Sequence, residues 1–525
     1  MWAKEKKAII FLLIILIIAA FFRLWQLDSI PPGLYPDEAI NGNEALDIIQ
    51  QGKFKIFYPE NNGREGLFIW LISLSFLIFG PSIWAIKIVP AIFGILTVLG
   101  LYLLTKELLR IENCKLKIVN LKNETIALTA SFFLAISFWH INFSRIGFRA
   151  ILVPFVLVFG FYFLFRGFRQ KKILFFVISG IFFGLGFYTY ISYRFIVLLL
   201  AVVLICFWLS EKSKIKSKKR FLFSTFYFLL SIFITALPIG IYFLLNPGDF
   251  FGRAVGVSVF SQKNPIYQIG KSLILNLGMF NIYGDENWRH NFAGSPQLLW
   301  PIGIFFLIGI IISIKELITS TKIKNWLLMP WFIIMLLPGI LSYEGIPHAL
   351  RVIGVIPAVY IFAALGAFWL FKKINPVRDF ENKKDTQNKN IFNGIKIFFK
   401  TKNQVIALYL CMFIFFLTIA YAQFDKYFYQ WAKKTEVEAA FSKNYVEIGN
   451  HLNSLPDDVQ KYVVVNQSGV AVPYPDGIPM PAQTPMFIER AKFGKIRATY
   501  LLPEDLDKIE INEKTVIIPL HNVQP

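Results

Sequence analysis

The chain has 525 residues, 56% of them hydrophobic, with 56 Phe and 12 Trp, and a mean hydropathy of +0.55. That apolar excess is more than a soluble core of this length can bury, so the composition excludes a soluble globular protein and indicates an integral membrane protein. The formal net charge of +21 is divided among short lysine-containing loops with no binding fold attached, which argues against a nucleic-acid partner. Three widely spaced cysteines, Cys114, Cys206 and Cys411, argue against a disulfide framework, a structural zinc site and redox chemistry.

In chain order, Lys4–Lys7 leads into the apolar stretch Ala8–Phe22 with no small-residue cleavage site after it, and Arg23-Leu-Trp25 supplies an interface anchor. This predicts a retained first span with a cytoplasmic N-terminus. The loop at 23–82 then carries Gly33-Leu-Tyr-Pro-Asp-Glu-Ala39. Pro36 suits the first turn of a helix running to Gln51, and Gly52 stops it. Asn61-Asn-Gly-Arg64-Glu-Gly66 introduces the apolar segment Leu67–Phe79, which falls short of the roughly 20 residues a crossing helix needs and so predicts an interfacial helix.

With Leu67–Phe79 lying in the interface, the second span is Ile83–Thr105, and later spans fall near 125–141, 150–165, 173–191, 195–210, 221–245, 297–314, 325–341, 352–371 and 405–422. The expected fold is an α-helical polytopic membrane protein with about 11 transmembrane helices. The cytoplasmic turns, including Lys106–Lys122, Lys212–Arg220 and Lys372–Lys402, then carry about +21 of net charge, and the external loops nearly cancel. Making Leu67–Phe79 a span would invert every later segment and put the lysine clusters outside. The expected division is a membrane domain at 1–422, with external loops at 23–82 and 246–296, and an extracytoplasmic domain at 423–525. In that tail a helix-like stretch, Glu436–Leu455, and β-rich runs at Tyr462–Asn466 and Thr515–Pro519 predict a small α/β unit.

Asp37 and Glu38 are the candidates for chemistry. First-turn acids also complement a helix dipole by about 0.3–1 kcal/mol, so structure alone could account for them. A carboxylate at a helix N-terminus, however, stays ionised as a general base must. Other polar residues gather at external span ends: Trp139-His140-Ile-Asn142 with Arg145 and Arg149, Tyr193-Arg194, Asp285-Glu-Asn-Trp-Arg-His290, and Tyr343-Glu344 with His348 and Arg351. Arginine suits bidentate recognition of phosphate oxygens and histidine adds a hydrogen bond or a proton. Interface snorkelling, or pairing with a nearby acid, is the competing explanation for each. Tyr188, Tyr190 and Tyr193 fit an interfacial aromatic belt.

The order of a first span, a loop with an Asp-Glu pair, then a basic residue leading into Leu-Phe-Ile-Trp70 resembles the GT-C membrane glycosyltransferases, especially protein O-mannosyltransferases and lipid A aminoarabinose transferases. The resemblance extends over residues 5–430 in topology. It implies that an acidic residue of the first loop is catalytic, which falls on Asp37 with Glu38 beside it. The donor would be a sugar on polyprenyl phosphate, transferred with inversion to a hydroxyl of a lipid, glycan or protein. Where the family has Lys-Pro-Pro-Leu, this chain has Arg64-Glu-Gly-Leu67, so Arg64 joins Arg145, Arg149, Arg289, His290, His348 and Arg351 as expected donor-phosphate contacts. Oligosaccharyltransferases of the same architecture hold a divalent cation, for which Asp37, Asp285, Glu286 and His290 would be the ligands. No Asp-x-Asp occurs around Asn142–Ala150, and a metal-independent reaction is expected. A transporter or flippase of lipid-linked sugars, or a non-catalytic glycan-binding membrane protein, remains the alternative.

Overall fold

The computed structural model describes residues 2–112, 120–210, 215–319, 323–374, 402–470, 472 and 478–521. Of the basic positions expected on the cytoplasmic side, Lys115, Lys117, Lys212, Lys214 and the stretch 375–401 lie outside the described residues.

The first helix, α1 (Trp2–Leu24), is followed by α2 (Pro36–Gln51), a hairpin of β1 (Phe57–Tyr58) and β2 (Arg64–Glu65), and α3 (Leu67–Phe79). Strands β1 and β2 pair antiparallel, with Phe57 opposite Glu65 and Tyr58 opposite Arg64. Then come α4 (Ile83–Glu112), α5 (Asn120–Ala135), the short α6 (Phe138–Phe143), α7 (Leu152–Gln170), α8 (Ile173–Leu185), α9 (Ile196–Ser210) and α10 (Ile215–Leu245). Helices α11 (Pro247–Gly256) and α12 (Pro265–Gly278) precede α13 (Trp300–Thr319), α14 (Ile323–Ile340), α15 (Ile356–Ile374) and α16 (Lys402–Asp425).

Among the described residues, seven helical stretches are long and apolar enough to cross a membrane, those of α1, α4, α7, α10, α13, α15 and α16. This makes the chain an integral membrane protein. Three more of the expected spans are shorter apolar helices at Ile173–Tyr188, Ile191–Cys206 and Trp326–Ile340. The span expected at 125–141 is divided between α5 and α6, so the expected number of full-length spans is larger than the structure supports by length. Burial separates centre from rim: the α15 span is 83% buried, whereas those of α10 and α16 are 11% buried. Their outward faces carry bare Phe223, Phe226, Phe233, Tyr409, Phe413 and Leu417. In water such a surface would drive aggregation, and in lipid it is solvated.

Helix α3 has 13 residues and a length of about 20 Å, against a hydrocarbon core of about 30 Å. Phe68, Ile69, Ile72 and Phe76 are buried on one side, and Leu74, Leu77, Ile78 and Phe79 are exposed on the other. One apolar face packs on protein and the other is bare, and at this length the helix is too short to cross the hydrocarbon core upright.

After Trp431 the chain forms α17 (Thr435–Ala440), α18 (Lys443–Ser454), β3 (Gln460–Val464), α19 (Gln483–Phe493), β4 (Thr499–Leu501) and β5 (Thr515–Pro519). The three strands make a parallel sheet in the order β4-β3-β5. Helices α18 and α19 pack together, and Leu452, Val463, Met486 and Tyr500 fill a small core of their own. This α/β unit is docked on the first loop: Phe487 and Ile488 of α19 share a core with Leu34, Ala39 and Leu46 around α2 and with Ile69 and Ile72 of α3.

Candidate functional site

Helix α2 begins where the sequence places it. Tyr35 is extended (φ −66°, ψ 145°), Pro36 occupies the first turn, and Gly52 closes the helix in the left-handed region (φ 66°). The first turn turns Asp37 into a cavity of about 460 Å³ at the end of the bundle where α1 ends and α7 and α15 begin. Asn61 Nδ2 donates to Asp37 Oδ1 at 2.9 Å. Beside it the Arg289 guanidinium lies 3.8 Å from the centre of the Tyr35 ring. Burial, with the Asp37 charge second, raises the Tyr35 hydroxyl above its usual range.

The cavity draws its polar wall from segments far apart in sequence: Arg253 of α11, Asn287, Arg289 and His290 of the loop before α13, and Glu344, His348 and Arg351 after α14. Asp285 organises this wall. Its Oδ1 accepts from Asn287 N at 2.8 Å, and its Oδ2 meets His290 Nδ1 at 3.0 Å and accepts from Ala349 N at 2.8 Å. One buried carboxylate thus ties the loop carrying Arg289 to the turn carrying His348 and Arg351. The His290 and His348 rings lie 4.8 Å apart. Burial, then His290 and the arginines Arg351, Arg253 and Arg289, hold His348 well below the usual imidazole range. Arg351 reaches Glu344, with Nη2 3.2 Å from Oε2, and burial lowers its own pKa.

Not every expected site residue reaches the cavity. Glu38 is fully buried and turns the other way: its Oε2 accepts from Gly147 N at 2.8 Å. Burial raises its pKa, while Lys87 and the Gly147 N–H act in the opposite direction. Arg64 lies beneath α2, donating to Glu44 Oε1 at 2.5 Å and to Asn41 Oδ1 at 2.9 Å. Arg145 is consumed by backbone carbonyls, including Phe22 O at 3.0 Å, Trp25 O at 2.8 Å and Ile30 O at 2.8 Å. Arg149 is paired with Glu65 at 2.9 Å and lies over the Tyr190 ring. Arg194 donates to Phe250 O at 2.5 Å.

These residues have a structural office instead. Around the 139–149 turn, Trp139 Nε1 donates to Ala349 O at 3.2 Å, Asn142 Nδ2 to Arg289 O at 2.6 Å, and Asn41 Nδ2 to Gly147 O at 3.3 Å. The turn is the hub that holds α2, the Arg289 loop and the His348 turn around one space. Sequence reasoning missed Arg253, whose guanidinium makes no hydrogen bond or ion pair among the described residues and lines the cavity. The only signal for it was a second arginine, besides Arg289, in the long loop 246–296.

For a metal, the structure brings together Asp285, His290 and His348, whose ligand atoms lie within 4.8 Å of one another. One carboxylate oxygen and two imidazole nitrogens would suit a tetrahedral cation, and His348 Nδ1 has no hydrogen-bond partner. This set differs from the one expected. Glu286 is exposed and accepts from the Tyr283 hydroxyl at 2.8 Å, and Asp37 is not in the group.

Comparison with known proteins follows this geometry. Residues 67–239 match the family described as dolichyl-phosphate-mannose-protein mannosyltransferase, a stretch running from α3 into α10. No curated protein matches the chain. Among solved structures, the archaeal oligosaccharyltransferase AglB from Archaeoglobus fulgidus, in complex with an inhibitory peptide and a dolichol-phosphate, is 16% identical with a TM-score of 0.52. That match covers 89% of this chain and 63% of AglB, so the chain spans less than two thirds of its length. ArnT from Cupriavidus metallidurans bound to undecaprenyl phosphate is 12% identical with a TM-score of 0.53, covering 92% of this chain and 84% of ArnT. At such identities the likeness establishes the fold. The chain is a membrane protein that shares the fold of these two structures.

Proposed function

We propose that the protein is a membrane glycosyltransferase that moves a sugar from a polyprenyl-phosphate donor to an acceptor hydroxyl on the extracytoplasmic face, with inversion at the anomeric carbon. One observation carries this reading: Asp37 shares a single cavity with Arg253, Arg289, Arg351, His290 and His348, a carboxylate facing a cationic wall. Its volume of about 460 Å³ falls in the range of small-molecule sites. The exposed Phe260 on its rim, followed by the exposed Ile266 and Tyr267 of α12, offers an apolar approach for a prenyl tail. The two solved structures above hold a dolichol-phosphate and undecaprenyl phosphate, and the proposal extends that ligand class to this chain.

In the proposed step the acceptor oxygen forms a bond to the anomeric carbon as the bond from that carbon to the phosphate oxygen breaks. The acceptor proton passes to Asp37, and the bonding pair leaves on the polyprenyl phosphate. Asn61 fixes the Asp37 carboxylate, and the arginines stabilise charge on the departing phosphate, where pre-placed donors act most strongly. Glu38 is a positioning residue here, and Arg64 and Arg145 support the loop from outside the cavity. The reaction is proposed as metal-independent. A cation held by Asp285, His290 and His348 would compete with the same wall for the phosphate.

The test is transfer from a radiolabelled polyprenyl-phosphate sugar by purified protein. Asp37→Asn is expected to lose sugar transfer and donor hydrolysis by about 10²–10⁴-fold with its melting temperature unchanged. Full activity in that variant would remove Asp37 from the chemistry.

A further inference from the structure

A second cavity, of about 410 Å³, opens between the turn of the β1–β2 hairpin, helix α11 and the turn after α14. Arg253, Val257 and Glu344 line both this cavity and the 460 Å³ one, so the two adjoin. Helix α11 shapes the new space through its sequence. Gly248, Gly252 and Gly256 recur every fourth residue and so share one face, and all three line the cavity. The exposed apolar residues of the same helix, Phe251 and Val255, do not line it. Glycine weakens a helix interior, and here no neighbouring part of the chain needs it small, because a Cβ added at any of the three would meet nothing within 4 Å. Tyr343 N donates to Val257 O at 3.1 Å, which fixes the turn after α14 against the end of α11.

The wall is polar and of mixed charge. Asp249 and Glu344 stand with Arg253, Asn62 and Tyr343, and Pro59 and Val257 are the only apolar side chains in the lining. Asp249 Oδ2 accepts from the Tyr242 hydroxyl at 2.7 Å, and Glu344 Oε2 accepts from Arg351 Nη2 at 3.2 Å. The second oxygen of each carboxylate, the Asn62 amide and the Arg253 guanidinium have no hydrogen bond among the described residues. An acyl chain or an apolar peptide side chain would find no apolar floor here, and a second phosphate would meet two carboxylates. A neutral sugar fits the same wall. Its hydroxyls donate to the free carboxylate oxygens and accept from the amide and the guanidinium, and its C–H face can rest on the Tyr343 ring, which is 37% exposed. The bare glycine face lets such a ring approach the backbone closely, and the volume is that of a small-molecule site.

We propose that this cavity is the acceptor subsite and that the acceptor is a neutral sugar residue, so that the bond formed joins two sugars. Its binding part rests on the cavity alone; its part in transfer rests on the glycosyltransferase reading above. The hairpin turn that supplies Asn62 is the turn whose Asn61 holds Asp37 at 2.9 Å, and Arg253 faces both cavities. A sugar seated against Asn62 and Asp249 therefore lies beside the proposed base, across an edge the two cavities share.

The test gives full-length protein in detergent the radiolabelled polyprenyl-phosphate sugar with three acceptors in parallel: methyl glycosides of glucose, galactose and mannose, micelles carrying a glucosyl-diacylglycerol, and a peptide rich in serine and threonine. Transfer is expected to a sugar acceptor and not to the peptide, and whether the soluble glycosides or the glycolipid serve better tells a free glycan from a lipid headgroup. Two variants fall on residues that line only the second cavity: Tyr343→Ala removes the ring, and Gly252→Leu fills open space without displacing a neighbour. Each is expected to lower the ratio of sugar transfer to donor hydrolysis by at least about tenfold. Transfer to the peptide alone, or an unchanged ratio in Gly252→Leu, would overturn the inference and leave the glycosyltransferase reading standing. A wild-type protein that neither transfers nor hydrolyses the donor would sink that reading instead, and saturation-transfer NMR of the methyl glycosides then decides the cavity. Contact should be seen in wild type, kept in Asp37→Asn and lost in Gly252→Leu; no contact, or contact retained in Gly252→Leu, would overturn the assignment.

Discussion

Asp37 and Glu38 are adjacent in sequence and opposite in office. Asp37 lines the 460 Å³ cavity and is held by the side-chain donor Asn61. Glu38 faces inward, accepts from Gly147 N, and is the carboxylate nearest in charge to the buried Lys87, whose Nζ donates to Pro31 O at 2.8 Å. Successive residues on a helix point about 100° apart, so only one of two neighbouring acids can face a given space. The consequence is a separable pair of phenotypes. Glu38→Ala removes a carboxylate whose charge acts on the buried Lys87 and cuts the latch to Gly147, and is expected to cost about 1–3 kcal/mol of stability. Thermal unfolding in detergent should show a clear fall in melting temperature for Glu38→Ala and none for Asp37→Asn, while transfer activity per folded molecule falls far more in Asp37→Asn. Equal stability losses in the two variants would contradict the division of labour.

At the scale of elements, what could be read from the sequence was what short-range physics decides. Pro36 and Gly52 bound α2 as expected, and the Leu67–Phe79 apolar run forms a single 13-residue helix over the expected residues. The direction of buried cations was not legible, because it depends on partners far along the chain. Arg64 and Arg289 look alike in sequence. One is held by Glu44 beneath α2, and the other has a guanidinium over Tyr35 at the cavity. The docking of the tail on α2 was equally hidden. Arg490 reaches Asp47 Oδ1 at 2.6 Å and Asn43 O at 3.0 Å, and Gly42 passes so close to α19 that an added Cβ would lie 2.7 Å from Phe487 and 2.8 Å from Ile86. In an isolated helix Gly42→Ala would gain up to about 1 kcal/mol. Here overpacking on two sides, at about 1–3 kcal/mol, should outweigh that gain. The expected result is a lower melting temperature and faster proteolytic release of the tail, and a stabilised Gly42→Ala protein would show that the α2–α19 contact is loose.

On the scale of the whole molecule, the cavity exists because loops from one end of the bundle converge there, and its relation to the two sides of the membrane decides which substrates can reach it. The geometry fixes that the Asp37 end and the α7–α8 turn, with exposed Lys171 and Lys172, belong to opposite ends of the same helix, since α7 starts beside Gly147 and finishes at Gln170. By the positive-inside rule the lysine end is expected to face the cytoplasm and the cavity the exterior. Two single-cysteine proteins, with Cys114, Cys206 and Cys411 replaced by serine, test this. Glu286→Cys sits on the exposed side of the cavity loop, whereas Asp285 beside it is buried and would escape a reagent from either side. Lys171→Cys sits at the other end. A membrane-impermeant maleimide applied to intact cells is expected to label position 286 directly and position 171 only after permeabilisation. The reverse pattern would turn the cavity toward the cytoplasm, so that an acceptor would have to come from inside the cell and the lysine clusters would face outward against the charge rule.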